Sequence, residues 1–243
     1  MSEHITGKDI LQKGCEYLGI ALSEQQSDQF MSYYELLIER NKVMNLTAIT
    51  ELDEVMQKHF VDSLALVKAV GPEGKKRLID IGTGAGFPGI PLKIVFPDLE
   101  VVLLDSLNKR VKFLDDVIEA LQLRGIKAIH GRAEDFARQK EYREGFDYCV
   151  SRAVANLSSL SEYCLPYVKT GGCFISYKSG NIEEELRQAK RAMFLLGGEK
   201  KDVVKFNLPG SDIERSLIVV EKINATSKKY PRKAGIPAKE PLK

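Results

Sequence analysis

The residues best suited to chemistry lie together at 80–89, which read Asp-Ile-Gly-Thr-Gly-Ala-Gly-Phe-Pro-Gly. Glycines in a strand-to-helix turn let the backbone approach a ligand where a Cβ would collide. Two ligand patterns overlap there. Gly84, Gly86 and Gly89 satisfy G-x-G-x-x-G, the dinucleotide pattern. Asp80 followed by Gly82, Gly84 and Gly86 satisfies D-x-G-x-G-x-G, the pattern of S-adenosylmethionine enzymes. A dinucleotide needs free amides at the helix N-terminus for its pyrophosphate, and Pro88 removes one. S-adenosylmethionine has no phosphate and carries a cation on sulfur. Pro88 does it no harm, and a carboxylate such as that of Asp80 suits its amino group. A turn without ligand is the bland alternative, and three alternating glycines speak against it.

Three more positions are candidates for the same crevice. Asp105 ends the apolar run VVLLD, 23 residues after Gly82. A carboxylate there can accept both hydroxyls of a ribose, in either cofactor; alternatively it caps the helix that follows. Glu134, or a neighbouring amide in GRAEDF, can read an adenine edge, or it is a carboxylate favoured by a helix dipole. Arg152 in VSRAVA can hold a methionine carboxylate or an RNA phosphate, or make a surface salt bridge.

Absent motifs narrow the chemistry. There is no Asn/Asp-Pro-Pro-aromatic grip for an exocyclic nitrogen and no Pro-Cys nucleophile, since Cys164 precedes Leu165-Pro166 in the wrong order. The three histidines, His4, His59 and His130, have no ligand spacing, so no metal is expected. Such an inventory suits an acceptor that needs no strong base. Guanine N7 is one, with a lone pair and no proton. Transfer to it depends mainly on in-line positioning.

The elements that must position these residues follow from periodicity. Residues 6–43 recur in apolar character every three or four residues, and Ser23 with Gln26 reads as a capping box opening a second helix. A further helical stretch covers about 51–70, and Gly71, Pro72 and Gly74 mark a boundary. Strands then alternate with helices. Strands are expected at 77–82, 100–106, 127–131, 146–154 and 171–180; helices at about 88–96, 108–123, 156–165 and 182–196. Runs 202–209 and 215–223 supply a closing antiparallel pair. The expected fold is α/β: a doubly wound, mainly parallel, seven-stranded methyltransferase (Rossmann-like) sheet with a small N-terminal helical region. An NAD domain would keep a sixth parallel strand instead. The expected divisions are 1–70, 71–226 and 227–243.

Composition excludes other classes. The chain has 243 residues, 44% hydrophobic and 29% charged, as globular domains have. No uncharged run exceeds Ile81–Leu92, too short to span a membrane. The opening MSEHITGKD has no apolar core, so no secretory leader is expected. Four cysteines without a C-x-x-C pair read as small hydrophobes of a reduced protein, and a cytoplasmic location is expected.

The net charge of +2 is lopsided. Residues 227–243 hold Lys228, Lys229, Arg232, Lys233, Lys239 and Lys243 against Glu240 alone. A basic segment with three prolines is expected to build no core. It suits a polyanion, or it is a solvated tail.

Ordered motifs add a resemblance. RNKVMNLTAIT with HFVDSL, then DIGTGAGFPGIPL, LLDSLNKRVKFL, GRAED, SRAVA and KKYPRKAGIPAKEPL run from about residue 25 to the end. Together they resemble the RsmG (glucose-inhibited division protein B) family of bacterial 16S rRNA guanine-N7 methyltransferases. The resemblance implies S-adenosylmethionine as donor and a guanine in the 530 loop of 16S rRNA (position 527) as acceptor. It implies cofactor contacts at Gly82, Phe87, Asp105, Ser106, Leu107, Ala133, Glu134 and Arg152. It turns the tail into an rRNA-contacting extension, with Lys228, Lys229, Arg232 and Lys233 on phosphates and Tyr230 stacking on a base. Asn45, Arg152 and Lys178 are the candidates for positioning the guanine. Arg40 stands where many members carry tryptophan, and this chain has no tryptophan. The expected partner is 16S rRNA or the small subunit, met by a monomer, with no membrane. Loss of residues 227–243 is expected to weaken RNA binding and leave cofactor affinity intact.

Overall fold

The computed structural model describes residues 6–152, 155–180 and 182–243. Ala153 and Val154 of the SRAVA motif lie outside the described residues.

Helix α1 (Gly7–Tyr17) opens on a Thr6–Asp9 capping box, and α2 (Glu24–Met44) on the Ser23–Gln26 box read in the sequence. The third helical stretch is a composite. It runs through α3 (Leu52–Val55), a π-helical segment Met56–Val61, α4 (Asp62–Leu64) and a 3₁₀ turn Ala65–Lys68. Strands and helices then alternate: β1 (Arg77–Ile81), α5 (Gly89–Val95), β2 (Glu100–Asp105), α6 (Asn108–Ala120), β3 (Ile126–His130), α7 (Ala133–Phe136), β4 (Phe146–Arg152), α8 (Leu157–Cys164), β5 (Val168–Lys178), α9 (Glu183–Leu195), β6 (Gly198–Asn207) and β7 (Glu214–Lys222), followed by α10 (Ile236–Lys239).

The strand order is β3-β2-β1-β4-β5-β7-β6. The first five are parallel, and β7 runs antiparallel to both β5 and β6. That hairpin is the expected closing pair, and it is the methyltransferase layout rather than that of an NAD domain. Strand β6 begins at Gly198, earlier than expected, directly after Gly197, whose φ of 81 follows the end of α9.

Strand residues alternate between two cores because both faces are covered. Leu78, Val101 and Leu103 pack with Phe30, Tyr33 and Leu37 of α2 and with Phe60. Ile79, Ile81, Val102 and Leu104 pack with Leu157 and Leu160 of α8 and Met193 of α9. The N-terminal helices therefore share a core with one sheet face. All four cysteines are buried and unpaired.

Residues 227–243 correct the expectation of a coreless tail. They form a strap across the second face. Lys222, fully buried at the strap's approach, donates to the carbonyls of Leu165 and Val168 and to the Thr226 hydroxyl. Arg143 donates to the carbonyls of Thr226, Ser227 and Tyr230, and Arg138 to that of Pro231. Tyr230 is 7% exposed and belongs to the core, with the Lys229 ammonium 5.1 Å from its ring centre. No face is left for a base, so its expected stacking role is overturned. Arg232 forks onto the fully buried Glu162 carboxylate at 2.7–3.1 Å, which commits the charge assigned to phosphate. Lys228, Lys229 and Lys233 stay exposed.

Removing one member of a buried pair leaves an uncompensated charge, at about 3 kcal/mol or more. Arg232→Met should therefore lower the unfolding free energy by about 3 kcal/mol in a urea titration. Adding Glu162→Gln to that variant should recover part of the loss.

Candidate active site

The glycine turn is held by three side chains from three elements. Asp80, fully buried at the end of β1, accepts from the Thr83 hydroxyl (2.7 Å) and the Gly89 amide (2.9 Å) through Oδ2. Asp105 of β2 accepts from the Gly84 amide through Oδ2 and the Leu107 amide through Oδ1, both at 2.9 Å. Tyr33 of α2 donates its hydroxyl to the Ala85 carbonyl.

The glycines divide by task. Gly82, Gly84 and Gly86 all have positive φ, which favours glycine. At Gly84 a Cβ would meet nothing nearer than the Gly82 carbonyl oxygen at 4.0 Å, so this backbone lies bare. At Gly86 a Cβ would come within 2.6 Å of the Tyr33 hydroxyl and 2.5 Å of Ile90. Gly86 is thus required by packing and lines neither cavity of the site, contrary to its expected contact with cofactor. Asp80 is corrected likewise. Its carboxylate has no exposed surface, and Oδ1 is buried without a partner among the described residues. It braces the turn instead of meeting an amino group.

Two cavities meet at Gly82. The smaller, about 370 Å³, is lined by Ser106, Ala133, Glu134, Tyr163 and Gly235. Glu134 is buried there and accepts from the Gly235 amide at 2.8 Å. Leu107, next in the chain after Ser106, is half exposed and lines neither cavity.

The larger, about 630 Å³, is lined by Gly84, Phe87, His59, Thr47, Tyr177, Asp62, Glu185 and five cations: Lys58, Arg110, Arg152, Lys178 and Arg215. The Phe87 ring stacks on His59 with centres 4.7 Å apart, and the Arg152 guanidinium lies 5.1 Å from its centre. Arg152 Nη1 donates to Asp62 Oδ2 at 2.9 Å, and Arg215 Nε to Asp62 Oδ1 at 3.1 Å. Lys178 donates to Glu185 at 2.6 Å and to the Ala155 carbonyl at 2.9 Å. Asn45 is not brought in. It is the exposed left-handed cap of α2 and lines neither cavity; its neighbours Leu46 and Thr47 do, held by the Asn41 side chain. Arg40 pairs with Asp116 on the surface at 2.7 Å.

Sequence reasoning missed Asp62 and Arg215 as site residues. They lie 90 and 63 positions from Arg152, and no local spacing links the three. His59, which its sequence context did not single out, stands in the cavity wall. Burial, with Arg152 beside it, pushes its pKa down to about 3, so its ring is neutral around pH 7. Among the described residues no group of three or more His, Cys, Asp or Glu could hold a metal, and no helix is long and apolar enough to cross a membrane.

A family model described as GidB, rRNA small subunit methyltransferase G, matches residues 26–218. The chain belongs to this family. Ribosomal RNA small subunit methyltransferase G of Lachnoclostridium phytofermentans is 56% identical over 230 residues, covering 95% of each chain. The protein of that name from Clostridium tetani is 49% identical over 235 residues, covering 97% of this chain and 98% of its own. In fold alone the chain resembles a SAM-dependent methyltransferase from Aquifex aeolicus, with TM-score 0.53 and 16% identity, over 70% of this chain and 93% of that one. It also resembles TrmN from Thermus thermophilus, with TM-score 0.52 and 17% identity, over 67% and 48%.

As a member of the methyltransferase G family the chain is an enzyme that uses S-adenosylmethionine. The site fits that cofactor on its own geometry. Bare backbone at Gly84 adjoins the Asp105 carboxylate, and two cavities open on either side of Gly82.

Burial pushes the Asp80 carboxyl up from its ordinary 3.8 to about 7, against its hydrogen bonds from Thr83 and Gly89. The folded state then keeps a proton that the unfolded chain releases. This contribution to stability is full below about pH 4 and is lost as pH rises to about 7. Asp80→Asn has no such proton. Urea unfolding from pH 4 to 8 should give a flatter profile for the variant, and parallel profiles would refute the assignment.

Proposed function

We propose that this chain methylates N7 of a guanine in the 530 loop of 16S rRNA, within the small subunit or a precursor of it. The observation that carries the reading is the junction of the two cavities at Gly82, one lined by Ser106 and Glu134, the other ringed by cations. S-adenosylmethionine, when bound, supplies an electrophilic methyl group on a sulfonium.

The chain's own residues divide the remaining work. The smaller cavity, with Ser106, Ala133 and Glu134, takes the adenosine end, and Asp105 offers its remaining lone pairs to ribose hydroxyls. Arg152 keeps donors beyond the one it gives to Asp62, and these suit an anionic group in the larger cavity. The Phe87–His59 stack stands in the wall of the larger cavity, where an aromatic edge or face suits a base. The neutral His59 is a poor base, and the acceptor needs none, because guanine N7 carries no proton. Catalysis then consists of holding the lone pair in line. Lys178, bound to Glu185, stands at the cavity rim to orient the nucleotide, and Asn45 stands beyond it on the surface. The exposed Lys228, Lys229 and Lys233 suit RNA phosphates. The proposed working form is a monomer in the cytoplasm, where its RNA substrate is.

The direct test incubates the protein and labelled S-adenosylmethionine with small subunits from cells lacking it, then maps N7-methylguanine by strand scission. One labelled guanine in the 530 loop is expected, in the subunits or in precursor particles from the same cells; label elsewhere, or in neither with cofactor bound, refutes the acceptor. Asp105→Ala should abolish cofactor binding in calorimetry. Replacing Lys228, Lys229 and Lys233 by alanine should reduce the log–log salt slope of RNA binding by about 2, at roughly 0.7–0.9 per phosphate. An unchanged slope would return these lysines to solvent.

A further inference from the structure

We propose that the strap formed by residues 227–243 is a wall of the adenosine-side cavity, with Gly235 as its positioning residue. The Gly235 amide fixes the Glu134 carboxylate at the cavity's edge. The inference rests on the cofactor reading above.

Gly235 and Glu134 line the same cavity although they are 101 positions apart, and the 2.8 Å bond joins them directly. Glu134 is 6% exposed, so a carboxylate oxygen that lost this donor would be left short of partners in a nearly dry place. The local backbone is shaped for the contact. Gly235 has φ 83 and ψ −16, in the left-handed region. A Cβ there would meet no atom within 4 Å. Glycine is therefore required by the handedness that aims the amide, and not by lack of space.

The strap is fixed on both sides of this point. Upstream, Arg232 forks onto Glu162, and its own amide donates to the same carboxylate at 2.7 Å. Downstream, the Ser159 hydroxyl donates to the Pro237 carbonyl at 2.7 Å. Glu162 and Ser159 both belong to α8, so this helix sets where Gly235 lies. A ligand that needs the cavity wall in place must favour the closed strap, and by linkage the closed strap must favour the ligand. The strap is thus part of the cofactor site, and its loss should weaken cofactor binding as well as RNA binding.

The test uses S-adenosylhomocysteine and the full chain, with no turnover. Hydrogen exchange of the amides in 227–243 should slow when the ligand is added. In calorimetry Gly235→Val, a β-branched residue forced to positive φ, should bind about tenfold or more weakly, the loss of one hydrogen bond to a charged group. Gly235→Asn, which tolerates that conformation and has room for its Cβ, should bind close to the wild type. Unchanged exchange across the strap, or equal affinities for wild type and Gly235→Val, would overturn the proposal and leave the cofactor reading standing. A wild type that bound no S-adenosylhomocysteine would overturn both. If Gly235→Val did not fold, the exchange measurement on the wild type would decide alone.

Discussion

Main-chain bonds satisfy only part of the turn after β1: Gly82 and Thr83 donate to the Leu104 carbonyl and Gly86 and Phe87 to that of Thr83, which leaves the Gly84 and Gly89 amides and the Ala85 carbonyl. Side chains take over. Asp80 binds Thr83 and Gly89, Asp105 binds the Gly84 amide, and Tyr33 binds the Ala85 carbonyl. Each comes from a different element, so the turn has its shape only when β1, β2 and α2 are all in place. The close approach of Tyr33 to Gly86 packs the helical region directly against the turn. It also carries Phe60 and the Phe87–His59 stack to the edge of the larger cavity.

The larger cavity has a second constraint, of charge. Asp62 is shared by Arg152 and Arg215, and all three are largely buried. One carboxylate between two guanidiniums leaves the cluster cationic, and a buried excess charge is costly unless something anionic completes it. The π-helical segment just before α4 contributes as well. The carbonyls of Lys58 and His59 lie within 3.5 Å of the Arg152 guanidinium. Irregular helical turns of this kind are common at functional sites.

Much of this was legible in the sequence because it is encoded locally. Alternating strands and helices, the Ser23–Gln26 cap and the Asp80–Gly89 turn are each written in consecutive residues. The antiparallel β7 was legible too, as two β-rich runs joined by a short loop. What stayed hidden depends on long separations. Nothing near Asp62 announces Arg152 or Arg215. The same glycine spacing could not separate Gly84, which bares the backbone, from Gly86, which makes room for Tyr33. The strap was misread for a related reason. Its composition is that of a solvated tail, and the groups that bind it, Arg143, Glu162 and Glu134, lie far upstream. Charge counted along the chain missed that one of its cations is neutralised within the fold.

The manner in which Arg143 and Arg138 hold the strap has an evolutionary consequence. Both reach for main-chain carbonyls, at Thr226, Ser227, Tyr230 and Pro231. A carbonyl is present whatever side chain its residue carries. Positions 227–229 can therefore drift in identity, and in outward charge, without loosening the grip. Selection can retune the face shown to a nucleic acid while the inner face stays fixed by a few anchors such as Tyr230 and Arg232.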